Sequence, residues 1–102
     1  MASIFDIDDK KIISSANLLE NGWICEGSYY NHDYNWSKII KLDLGDGYYC
    51  YCEFLLNSHT NKIHSNETNK TYTISNMDAI NRFIDKQLNR RLEKYKSYHE
   101  YI

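Results

Sequence analysis

The residues of this chain best suited to chemistry are three cysteines, Cys25, Cys50 and Cys52, and four histidines, His32, His59, His64 and His99. Zinc asks for four ligands, and its paired cysteines usually have two to four residues between them. Cys50 and Cys52 flank a single residue, so in an extended strand they point the same way, and a disulfide between them would need distorted geometry. Their expected role is to pack as small apolar residues, with all three thiols buried, reduced and free of metal. A thiol nucleophile needs a lowered pKa and a base within reach. No cysteine here opens a helix or sits in a recognisable nucleophile elbow. His59 and His64 fall in polar stretches, where a solvated imidazole is the ordinary outcome. Asp6, Asp8 and Asp9 lack the spacing of a calcium loop and suit a helix start. Gly45 and Gly47 flank Asp46 in a turn and match neither phosphate-binding glycine motif. No catalytic residue, cofactor or metal ligand is assigned, and the chain is expected not to be an enzyme.

The aromatic residues suggest recognition. The chain holds ten tyrosines and two tryptophans. Tyr29, Tyr30, Tyr34 and Trp36 crowd one polar turn, and Tyr49 and Tyr51 share a strand face. Tyrosine gives large contact area at low entropic cost and is enriched in interfaces. It also has high strand propensity and can simply line a half-buried sheet. Aromatic residues on an open sheet can stack bases, but phosphate binding needs Lys and Arg beside them. The first 60 residues carry four Lys/Arg against nine Asp/Glu, whereas the last 21 carry six against three. That asymmetry weighs against nucleic acid on the tyrosine face. Arg90, Arg91, Lys94 and Lys96 near the end suit an acidic partner or a solvated helix face.

The elements that must position these groups centre on Ser37–Leu56, a hairpin around Gly45-Asp46-Gly47. Strand alternation puts Ile40, Leu42, Leu44, Cys50, Cys52, Phe54 and Leu56 on one face, which reads as core. Ile39, Lys41, Asp43, Tyr49, Tyr51, Glu53 and Leu55 share the other, which reads as partly open. Before the hairpin, acids and a helical apolar spacing predict a helix over Asp8–Glu20, closed by Asn21-Gly22. Ile4, Phe5 and Ile7 form either a hydrophobic staple or a short edge strand. Strands are predicted over Trp23–Tyr30, Trp36–Leu44, Tyr48–Leu56 and Thr71–Ile74; Ile63-His64-Ser65 is too short to assign. Ser75 to Asp78 resembles a capping box opening a helix over residues 76–101. Its stripe runs Met77, Ile80, Phe83, Ile84, Leu88, Leu92 and Tyr95, continuing to Tyr98 and Tyr101. That helix would be about 39 Å long, against about 30 Å for strands of eight or nine residues, so its last turns are expected to overshoot the sheet.

One α+β domain follows, ordered α-β-β-β-β-α. It is an antiparallel meander with both helices on the aliphatic face and a core over about residues 4–88. With 102 residues there is no room for a second independent core. No apolar run approaches the roughly 20 residues that span a bilayer. The acidic N-terminus lacks the basic region of a signal peptide, so a cytoplasmic protein without membrane attachment is expected.

The helix ending in LLENGW (Leu18 to Trp23), the strands around the GDG turn and the closing helix opening at ISNMDAINRFI (Ile74 to Ile84) together resemble the small α+β accessory proteins of phages and mobile elements. Anti-CRISPR and other anti-defence inhibitors belong to that group. The resemblance implies inhibition of a host protein by binding, in the host-cell cytoplasm, and assigns no functional residue. The expected contact residues are therefore those of the tyrosine face and the last helix: Tyr30, Tyr34, Tyr49, Tyr51, Arg90, Arg91, Leu92, Tyr95 and Tyr98. A nucleotide or nucleic-acid binder is the alternative, and a small thiol or metal enzyme a more distant one. An overshooting helix end needs a surface, so a homodimer or partner contact through Leu92, Tyr95 and Tyr98 is also expected.

Overall fold

The computed structural model describes residues 9–26 and 34–100. After a 3-10 turn at Asp9–Lys11 come α1 (Ser15–Glu20), β1 (Ile24–Cys25), β2 (Trp36–Gly45), β3 (Tyr48–Asn57), β4 (Lys62–Ser65), β5 (Lys70–Thr73) and α2 (Met77–Glu100). The strands form one antiparallel sheet in the order β1-β2-β3-β4-β5. This is the expected α+β meander with helices on the aliphatic face, enlarged by one strand.

The hairpin is built by its turn. Asp46 and Gly47 both have positive φ (54° and 82°), the twist that a two-residue connection between right-twisted strands requires. The Asp43 carboxylate accepts the Gly45 N–H at 2.9 Å beside a bulge between these residues. Alternation then buries Cys52, Phe54 and Leu56, with Ile40, Leu42 and Cys50 packed against them. α2 lies on this face with Met77, Ile80 and Ile84 inward, and Phe83 meets Phe54 edge-on at 6.2 Å and Tyr72 at 5.1 Å. Asn76 caps α2 by accepting the Ala79 N–H at 2.8 Å.

The structure adds detail to the expected elements at four places. The first helix starts at Ser15, because the Ser14 side chain accepts the Asn17 N–H and caps it there. Its far end is as expected. Trp23 N–H bonds to Leu18 O and Gly22 N–H to Leu19 O, with Gly22 at φ 85°, a Schellman closure. Of the span Trp23–Tyr30, residues 23–26 are described and Ile24–Cys25 form the strand; Glu26 N–H still reaches Asn35 O, and residues 27–30, with Tyr29 and Tyr30, lie outside the described residues. So do Ile4, Phe5 and Ile7. Ile63-His64-Ser65 is a strand after all, β4, held by pairing on both sides and by burial of Ile63 and Ser65.

The fourth place is the C-terminal part of α2. β2 and β3 each run ten residues, longer than expected, and the hairpin tip reaches the helix. Tyr48 meets Tyr95 with ring centroids 6.4 Å apart. The Tyr95 hydroxyl is pushed above its ordinary pKa by desolvation first, then by Asp46 of the turn and by Tyr48. Glu67, in the β4–β5 turn, pairs with Lys94 at 3.6 Å and Arg91 at 3.9 Å. The protein's own hairpin and β4–β5 turn therefore meet the helix as far as Tyr95; the side chains from residue 98 onward lie outside the described residues.

Candidate functional site

Pairing registers fix which side chains share the open face. Ile24 stands opposite Ser37, Ile39 opposite Glu53, Lys41 opposite Tyr51 and Asp43 opposite Tyr49. Further across, Leu55 stands opposite His64, and His64 opposite Thr71. Directly paired residues point to the same side of a sheet. On this side Ile24, Ile39, Tyr49 and Tyr51 are 57%, 58%, 53% and 59% exposed. Tyr49 and Tyr51 pack edge-on at 5.6 Å, and the Lys41 ammonium sits 4.2 Å from the Tyr49 ring centroid. The result is a preformed patch of two aliphatic and two aromatic side chains, with Lys41, Asp43 and Glu53 among them.

Tyr34 belongs to the same face but to its other end. Its hydroxyl and the Thr71 hydroxyl share a hydrogen bond at 3.0 Å, His64 Nδ1 lies 3.3 Å from Thr71 Oγ1, and the Tyr34 and His64 rings stand 5.9 Å apart. A hollow of about 410 Å³ beside them is lined by Tyr34, Asn57, Thr60, Lys62 and Thr71. The cluster ties the chain before β2 to β4 and β5. The structure thus brings Tyr49 and Tyr51 together, sets Tyr34 apart, and leaves Tyr30 outside the described residues. Ile24 and Ile39 are part of the patch but were not among the candidates. The parity of Ile39 with Tyr49 and Tyr51 was the available signal; Ile24 joins only through the β1–β2 register.

The helix candidates are mostly used within the fold. Arg91 pairs with Glu67, Leu92 is half-buried, and Tyr95 packs on Tyr48. Arg90 is exposed and lines a cleft of about 600 Å³ between α2 and β5, whose charges are mixed: Glu67, Lys70, Arg90, Glu93 and Lys94. Tyr98 is helical, and its side chain lies outside the described residues.

The cysteines differ from one another. Cys52 is buried and Cys50 half-buried, on the core face as expected, but Cys25 is exposed. Cys25 lies in β1 opposite Trp36, at the edge of the sheet, where no further strand among the described residues flanks it. Burial pushes the Cys52 thiol up to about 11, helped by neighbouring Cys50 and by Glu67. In native buffer near pH 7.5, thiol reagents are expected to modify Cys25 first and Cys52 only on unfolding, because the thiolate is the reactive form. Mass spectrometry of the labelled peptides reads this directly, and equal rates at Cys25 and Cys52 would contradict the burial. Among the described residues no group of three or more His, Cys, Asp or Glu could hold a metal ion.

No helix among the described residues is long and apolar enough to cross a membrane. No family model matches this chain, and neither a curated protein nor a solved structure matches it.

Proposed function

We propose that this chain is a protein-binding module that acts through the open face of its sheet and turns over no substrate. The observation carrying this is the patch of Ile24, Ile39, Tyr49 and Tyr51, each more than half exposed and all on one side. Contiguous exposed apolar groups with a polar rim are the usual anatomy of an interaction site. A protein partner fits better than nucleic acid, because the charges among these residues are net acidic: Lys41 against Asp43 and Glu53. Phosphate recognition would need several cations there. The last helix, part of the expected surface, contributes mainly by holding the sheet. Inhibition of a host defence protein is the finer form of the proposal. It rests on the resemblance of the LLENGW helix end, the GDG hairpin and the closing helix to phage-encoded accessory proteins.

The test compares the wild-type chain with Ile39→Glu and Tyr51→Glu, both on exposed positions that should tolerate the change. Proteins retained from host-cell lysate by the wild type but lost with both variants would be purified and titrated by calorimetry. Direct binding, abolished by either variant and little affected by salt, is the expected result. Retention unaffected by both variants would refute this surface. Binding of a labelled oligonucleotide, weakening steeply with salt, would favour the nucleic-acid alternative.

A further inference from the structure

The sheet has a second feature, at the edge bordering the patch. β1 pairs with β2 only at Ile24–Ser37 and Cys25–Trp36. Beyond Ser37, no strand among the described residues pairs with the outer edge of β2, although the strand runs on to Gly45. A run of unpaired N–H and C=O groups on a long edge strand is a ready template for another strand. Natural edges are commonly blunted by charges or bulges. Here a bulge lies between Asp43 and Gly45, and the stretch before it carries Lys41 and Asp43 among Ile39, Ile40 and Leu42.

We propose that this edge pairs with the same edge of a second copy, antiparallel, with the two-fold axis at Leu42. The sequence selects this register. A two-fold axis perpendicular to the sheet keeps core face with core face, so the axis must pass through a residue. With the axis at Leu42, Lys41 of each copy faces Asp43 of the other, giving two opposite-charge cross-strand pairs on the open face. On the core side Leu42 faces Leu42, and Ile40 faces Leu44. With the axis at Lys41, lysine faces lysine; at Asp43, aspartate faces aspartate; at Ile40, Lys41 faces Ile39. Like charges directly opposite destabilise a sheet, and opposite charges support it. Within the chain, Lys41 and Asp43 have tyrosines as their cross-strand partners, and neither is in an ion pair among the described residues. Ile40 and Leu42 are only half-covered by the protein's own core, so pairing would also remove apolar surface from water. The two sheets become one, and the tyrosine patches of both copies fall on the same side of it.

Sedimentation of the full chain across a roughly hundredfold range of concentration tests this, since self-association follows mass action. The wild type is expected to pass from monomer to dimer. Lys41→Asp turns both opposite-charge pairs into like-charge pairs and should raise the dimer dissociation constant by about tenfold or more. Asp43→Lys should do the same. An equimolar mixture of the two variants should form a heterodimer, because every charged position then meets its opposite. Asp43 also holds the Gly45 N–H, so Lys41→Asp carries the decision if the other variant does not fold. A wild type that stays monomeric throughout overturns the proposal. So does a dimer indifferent to Lys41→Asp, which would be built on another surface, or folded variants that fail to associate when mixed.

Discussion

Replacing Phe54 with alanine is expected to cost about 3–5 kcal/mol of folding stability, the range for a large aromatic removed from a closed core. Phe54 is fully buried in β3 and meets Phe83 of α2 edge-on, so its loss opens a cavity at the contact between sheet and helix. Tyr51, three residues earlier on the same strand, points the other way and is more than half exposed. Tyr51→Ala should cost about 1 kcal/mol or less, mostly its edge-on contact with Tyr49. Urea melts of the two variants compare the faces of one strand within one protein. Similar losses would show that the tyrosine-bearing face is covered in solution.

Trp23→Ala should be comparably severe, about 3–5 kcal/mol. Trp23 is almost fully buried in the same cluster as Leu18 and Trp36. Its backbone N–H closes the end of α1 on Leu18 O. α1 has six residues, far below the length at which a helix persists alone in water. Its order therefore derives from the docking of Leu18 and Trp23, aided by Lys38, whose ammonium donates to the Asn21 carbonyl at 2.6 Å. That same position desolvates Lys38 and lowers its pKa, an effect opposed by Asp85. Domains of this size are stable by only about 5–15 kcal/mol, so the variant should be marginal. Thermal unfolding followed by circular dichroism measures the loss. A small change would mean that α1 docks without contributing to the cooperative unit.

Much of this architecture is legible in the order of residues alone. The Asp46-Gly47 turn sets the register of the hairpin, and a period of two then sorts Phe54 from Tyr51 without further information. The stripe from Met77 to Leu88 likewise marks one face of α2. What escaped the sequence was decided by contacts distant along the chain. β4 has four residues, of which Ile63 and Ser65 are buried, and only its neighbours on both sides make it a strand. The start of α1 turned on Ser14 competing with an equally plausible acidic start upstream. Cys25 has the parity of a core residue, but parity cannot reveal that the described strand around it is two residues long. The candidate residues of α2 rest on charge, for Arg90 and Arg91, and on helical spacing, for Leu92, Tyr95 and Tyr98, and nothing local to Arg91 or Tyr95 announces Glu67 or Tyr48. On the open face the tyrosines drew attention by type, whereas Ile24 entered the patch only through its pairing with Ser37.

The position of α2 has a consequence during synthesis. Each strand lies beside its neighbour in the chain, so the sheet can assemble in the order in which it is made. The chain contains no proline, so no prolyl isomerisation delays it. Yet the helix that covers Phe54, Leu56 and Ile63 is translated only after every strand of the sheet. At about 5–20 residues per second, its 24 residues take on the order of one to five seconds to emerge. Throughout that interval the nascent sheet carries its apolar face bare, and chaperones or neighbouring nascent chains meet a surface that the finished protein never presents.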